Sequence, residues 1–128
     1  MTKNLGNTAT VEVDFGGAGG SSLTIGGTLT NNATLDVGNT SLARATTVKA
    51  AGLANIGTVN LSGAAPATAT FNITGAAANA GSIAIGGYSA LNASGETYTQ
   101  SLGTTTVAAS GALTAATIDV TGGVLQGA

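Results

Sequence analysis

Residues 23–38 read LTIGGTLTNNATLDVG. Two apolar-x-apolar triplets open and close the stretch, Leu23-Thr24-Ile25 and Leu35-Asp36-Val37, and their first members stand 12 residues apart. Successive side chains of a strand point to opposite faces, so each triplet turns two apolar groups to the same side. The Gly26-Gly27 pair after the first triplet suits a corner, because glycine takes positive φ without steric cost. Short strand, corner and short strand at fixed spacing predict a chain that winds.

The same beat runs outward in both directions. Further triplets are Val11-Glu12-Val13, Val59-Asn60-Leu61, Phe71-Asn72-Ile73 and Ile83-Ala84-Ile85, so first members fall at 11, 23, 35, 59, 71 and 83. The beat at 47 is occupied by Thr47-Val48-Lys49, with its apolar residue one place late. Beyond 83 the rhythm weakens: position 95 lies in Ser94-Gly95-Glu96, position 107 is Val107, and Ile118-Asp119-Val120 arrives one residue early. Residues 64–68 (AAPAT) and 75–81 (GAAANAG) read as loops between beats. No helical periodicity of any length is present.

An all-β fold follows, in one of two architectures. A β-sandwich pairs such strands antiparallel around large aromatic and aliphatic residues. A parallel β-helix, or β-solenoid, stacks equivalent strands coil upon coil. Stacking requires equal arc lengths and a sandwich does not, so the fixed period favours the solenoid. Two beats per coil, about 24 residues, give roughly five coils. Residues 1–128 then form a single solenoid segment, either a fragment of a longer fibre or a subunit in one.

Composition narrows the partners. Only 6% of the residues are charged and 3% aromatic, with 21 glycines and a net charge of −2, where a typical soluble domain is about a quarter charged. Three Lys and Arg residues supply no basic stripe for phosphates, which speaks against nucleic acid. Glycine, threonine and asparagine interrupt every apolar run, which speaks against insertion into a membrane. With no cysteine there is no disulfide framework and no thiolate metal site.

The segment YTQSLGTTTVAASGALTAATIDVTGGVLQG, residues 98–127, resembles the degenerate repeats of bacterial filamentous-haemagglutinin-like exoproteins and autotransporter-passenger adhesins. The resembling pieces are Tyr98-Thr99-Gln100, Gly103 to Val107, Gly111-Ala112-Leu113-Thr114 and Ile118 to Gly127. The resemblance covers about a quarter of the chain. It implies a right-handed parallel β-helix serving as a stalk or display surface, secreted or held at a bacterial cell surface, and it carries over no catalytic residues. TIDVTGGVLQG, residues 117–127, is then one rung of a ladder.

Chemistry finds few candidates. Histidine and cysteine are absent, which removes the usual proton shuttle and the Ser-His and Cys-His nucleophile pairs. Acid–base work falls to Glu12, Asp14, Asp36, Glu96 and Asp119. On a 24-residue coil Glu12, Asp36 and Asn60 share one outward column, and stacked carboxylates repel unless solvent or a cation intervenes; these read as solubilising positions. Residues 16–24 fit the calcium nonapeptide except that Ser21 stands where its ligand Asp belongs, so no metal site is assigned. The T-x-T triplets beginning at 8, 28, 68, 97 and 104 resemble an ice-binding face but share no single period, and threonine is a favourable strand residue anyway. Asn32, Asn39, Asn60, Asn72 and Asn92 head N-glycosylation sequons of the kind expected by chance here. Tyr88 and Tyr98 are the aromatic residues considered for sugar stacking.

The expectation is therefore a non-catalytic structural protein with no catalytic, cofactor or metal residues and no cofactor. Its partners are other copies, joined end to end or by strand exchange, or neighbouring repeats, with glycans or a host surface as further ligands. Ice binding and polysaccharide cleavage are the remaining readings.

Overall fold

The computed structural model describes residues 3–128. Thirteen strands follow one another: β1 (Leu5–Asn7), β2 (Thr10–Val13), β3 (Ser22–Asn31), β4 (Thr34–Val37), β5 (Thr46–Asn55), β6 (Thr58–Leu61), β7 (Ala69–Ile73), β8 (Ala77–Asn79), β9 (Ser82–Ile85), β10 (Ser89–Gln100), β11 (Thr104–Val107), β12 (Ala112–Val120) and β13 (Val124–Gly127). They stack in two parallel sheets, β1-β3-β5-β7-β10-β12 with β8 between β5 and β10, and β2-β4-β6-β9-β11-β13. Parallel pairing of strands one turn apart makes a β-solenoid of about five turns, and the antiparallel sandwich is not adopted.

Each turn has three legs. The long strands β3, β5, β10 and β12 supply the first two, and the pair β7 and β8 supplies them where the long strand is interrupted. One inward row is Val11, Leu35, Val59, Ile83, Thr105 and Leu125. Its steps are 24, 24 and 24, then 22 and 20, so the later turns are shorter. A second row runs Leu23, Val48, Phe71, Leu91 and Leu113. Val48, late by one in the sequence, sits opposite both Leu23 and Phe71, so the spare residue is absorbed at the corner. Leu91 takes the place expected near 95.

The middle leg escaped the triplet pattern. Its first inward row is Leu5, Leu29, Leu53, Ala77, Tyr98 and Ile118, and its second is Asn7, Asn31, Asn55, Asn79, Gln100 and Val120. Ile118 thus belongs to the middle leg and is no early member of the 23, 47, 71 series. The alanine run expected as a loop within 75–81 contains β8, whose Ala77 and Asn79 are buried.

Four asparagines inside a protein would be costly without partners, since an unpaired buried amide forfeits roughly 1–3 kcal/mol. Here each supports the next. Asn7 Nδ2 donates to Asn31 Oδ1 at 2.7 Å, Asn31 Nδ2 to Asn55 Oδ1 and Asn55 Nδ2 to Asn79 Oδ1, both at 2.8 Å. The same amides donate to the corner carbonyls of Thr34, Thr58 and Ser82. The ladder therefore ties the turn between the middle and third legs to the coil above. At its far end Asn79 donates to Gln100 Oε1 and to Thr105 Oγ1, and Tyr98 Oη, Thr105 and Gln100 close a small network. Among the described residues no buried side-chain nitrogen or oxygen lacks a partner.

Around this spine pack Ile25, Leu29, Leu35, Val48, Val59, Phe71, Ile83, Leu91 and their neighbours, all nearly inaccessible. Stacked backbones leave little room at the corners: a Cβ on Gly103, at φ 68°, would lie 1.9 Å from the Gly81 carbonyl oxygen.

Candidate interaction surface

The outward side of the second sheet carries two columns. One is Thr10, Thr34, Thr58, Ser82 and Thr104, followed by Val124. The other is Glu12, Asp36, Asn60, Ala84, Thr106 and Gln126. Glu12, Asp36 and Asn60 are thus adjacent in one outward column, as their spacing predicts. The repulsion between Glu12 and Asp36 is relieved on one side by Asn60, whose Nδ2 donates to Asp36 Oδ1 at 2.8 Å.

The remaining acids lie apart. Asp14 sits in the corner after β2 in a left-handed conformation, φ 55°. Its carboxylate accepts from the Ser21 backbone N–H, the Ser21 hydroxyl and the Thr46 hydroxyl. The Thr46 hydrogen bond is the main reason its pKa is lowered from 3.8, with the Ser21 bonds adding to it against a partial burial cost. Ser21 of the nonapeptide-like segment is therefore a donor to Asp14. Glu96 lies where β10 shifts register between Ala93 and Thr97, and Asp119 is exposed on β12. Among the described residues no three acidic, histidine or cysteine side chains converge.

The T-x-T threonines scatter over different legs: Thr28 and Thr30 on β3, Thr97 and Thr99 on β10, Thr104 to Thr106 on β11. Only the single Thr10 to Thr104 column is regular, and its neighbour runs through carboxylates, amides, an alanine and a threonine. Of the sequon asparagines, Asn39, Asn60 and Asn92 already spend their amide N–H on Phe15, Asp36 and Asn72. Tyr98 is buried in the core, where burial raises its pKa above 10.0 against the opposing hydrogen bonds of Thr105 and Asn79. Tyr88 is half exposed at a corner.

Two further surface features stand out. A groove of about 220 Å³ lies over the corner of the first coils, with Phe15, Asp36, Asn39, Asn60 and Ser62 around it. Phe15 is 49% exposed, and no spacing rule singled it out because it lies off the twelve-residue beat. The second feature is the end of the stack. Ile118 and Val120 occupy inward positions yet are 44% and 49% exposed, since no further coil covers them. Leu113, Ala115 and Leu125 beside them are half-buried. Comparison with known proteins yields no matching family model, no matching curated protein and no matching solved structure.

Proposed function

We propose that the chain is a non-catalytic structural segment of a secreted or cell-surface fibre, an adhesin stalk or display surface. The observation that carries this reading is the continuous ladder: parallel strands run through every coil, and buried amides from Asn7 to Gln100 run through all but the last. Each coil contacts only its neighbours, so such an array is stiff along its axis and extends by adding turns. Surfaces of threonine, asparagine and serine with few charges suit a spacer that resists proteases. The likeness of residues 98–127 to adhesin repeats points the same way, since that block corresponds to the last inward rows and corners of the stack.

A second reading, self-assembly into a filament, draws on the match between the inward rows of the first and last described turns. A second copy placed on the last of these turns would set its Leu5 over Ile118 and its Val11 over Leu125, continuing two existing inward rows. Among the described residues the first turn offers only the middle and third legs, so this junction pairs two legs of three. Parallel strand edges, where they are left unpaired, favour such augmentation.

Negative-stain electron microscopy over a concentration series, with light scattering on the same samples, separates the readings. Filaments that lengthen with concentration and vanish in Ile118→Asp support the second. Monomeric rods at every concentration leave the stalk reading, and a compact particle of changing shape with no rod-like form overturns both.

A further inference from the structure

We propose that the groove beside Phe15 is a binding site for one neutral pyranose ring of a glycan. The inference starts from an anomaly. A phenylalanine left half exposed forgoes part of the stabilisation that its burial yields, and a flexible loop would let it fold down. This loop is held instead. Asn39 Nδ2 donates to the Phe15 carbonyl at 2.6 Å, and the Ser41 N–H donates to Asn39 Oδ1 at 2.8 Å. On the other side Asp14 grips Ser21 and Thr46, while the Gly17 N–H reaches the Asp14 carbonyl at 3.0 Å. The backbone that carries the ring is thereby fixed beside the groove that Phe15 lines.

The partners facing that ring determine the ligand. Asp36 Oδ1 accepts from Asn60, which leaves Asp36 Oδ2 as an acceptor and Asn60 with its carbonyl oxygen and a second N–H. A carboxylate and an amide held side by side match the alternating donors and acceptors of two vicinal hydroxyls. The C–H face of a pyranose is apolar and slightly positive, which suits the negative face of an aromatic ring. The groove is smaller than the range of about 300–1,000 Å³ typical of sites that enclose a drug-sized ligand, so one ring fits and a longer molecule runs out along the surface.

Other ligands fit less well. Glu12 and Asp36 stand adjacent in the same column, and Lys3, Arg44 and Lys49 are not among the lining residues, so phosphates and acidic sugars are repelled. A cation would find Asp36 as the one carboxylate lining the groove, with an oxygen already engaged by Asn60. Since its residues belong to three successive turns of the outward face, the site exists whether the solenoid is a stalk or a filament.

An amide NMR titration tests it, using methyl glycosides of glucose, galactose, mannose and N-acetylglucosamine, with glucuronate as the acidic counterpart. At least one neutral probe should give saturable shifts confined to residues around 15, 36–40 and 60–62, with a dissociation constant of about 1–10 mM as befits a single shallow contact. Phe15→Ala should weaken it at least tenfold, Phe15→Tyr should retain it, and Asp36→Asn should narrow the gap between neutral and acidic probes. Should Phe15→Ala disturb the fold, Asn60→Ala carries the same expectation of weakened binding. Absence of saturable shifts with every neutral probe overturns the proposal, as does binding that survives both Phe15→Ala and Asn60→Ala.

Discussion

The first turns and the last two share a topology but not a chemistry. From β2 to β9 the register advances by 24 residues along the third leg, and the interior corner is held by asparagine upon asparagine. From β10 onward the turns shorten, Gln100 replaces asparagine, Tyr98 and Thr105 enter the interior, and Val120 ends the amide row. A strict repeat allows identical side chains to bond in series, since each amide finds the next at the same height. A shortened turn breaks that equivalence, and a longer side chain with new partners has to span the mismatch. Gln100 does so by reaching Leu102 and accepting from Thr105 and Asn79.

The largest effect should come from breaking the series at its centre. Asn55→Ala removes four hydrogen bonds, the one from Asn31 and those to Asn79 and to the carbonyls of Ser82 and Gly57, a loss of about 3–5 kcal/mol at roughly 1 kcal/mol for each bond. Urea denaturation should show it as a lowered midpoint with little change in slope. The corresponding change at the other end, Val120→Ala, removes a half-exposed side chain and should cost less than about 0.5 kcal/mol.

Next in size is the contrast within a purely apolar comparison. Leu91 is inaccessible and pairs with Phe71 below and Leu113 above, so Leu91→Ala should cost about 2–5 kcal/mol. Leu125 lies in the terminal coil with one side uncovered, and Leu125→Ala should cost about 1 kcal/mol on the same scale. Equal costs at the two positions would mean that another copy covers the terminal coil in solution, a result that a concentration series would then confirm.

The first and third legs were legible in the sequence because both of their inward residues are apolar, which is what an alternation pattern detects. The middle leg was not, because its second inward residue is asparagine and a polar residue reads as outward. Yet a signal was there: Asn7, Asn31, Asn55 and Asn79 repeat every 24 residues, twice the beat, and a search for identical polar residues at the coil period would have found the ladder. The Glu12, Asp36 and Asn60 column was legible for the same arithmetic reason. Phe15 was not, since its exposure depends on a corner held by Asn39 and Asp14 from different coils, and no local pattern encodes such contacts.

Two smaller effects test the contrast through pH, one at each end of the molecule. Tyr98 in the shortened turns has a raised pKa, chiefly from burial. Its neutral form is favoured by the fold, so its share of stability is full below the ordinary value of 10.0 and is lost as pH rises through the higher folded value. Tyr98→Phe should flatten the decline in stability between about pH 9 and pH 12, measured by urea midpoints. Asp14, at the corner of the first turns, has a lowered pKa through its bonds to Thr46 and Ser21. Its contribution is present above 3.8 and is lost as pH falls through the lower folded value. Exposure and solvent screening keep this effect the smallest of the set. Asp14→Asn tolerates the left-handed backbone and should lower the midpoint slightly at neutral pH, with the difference from the parent chain vanishing in acid. If amide exchange places the acid-sensitive opening at β2 and β3 and the alkaline one at β10 and β11, the two ends of the solenoid open independently. A common opening at both extremes would instead show that the asparagine series couples every turn into one cooperative unit.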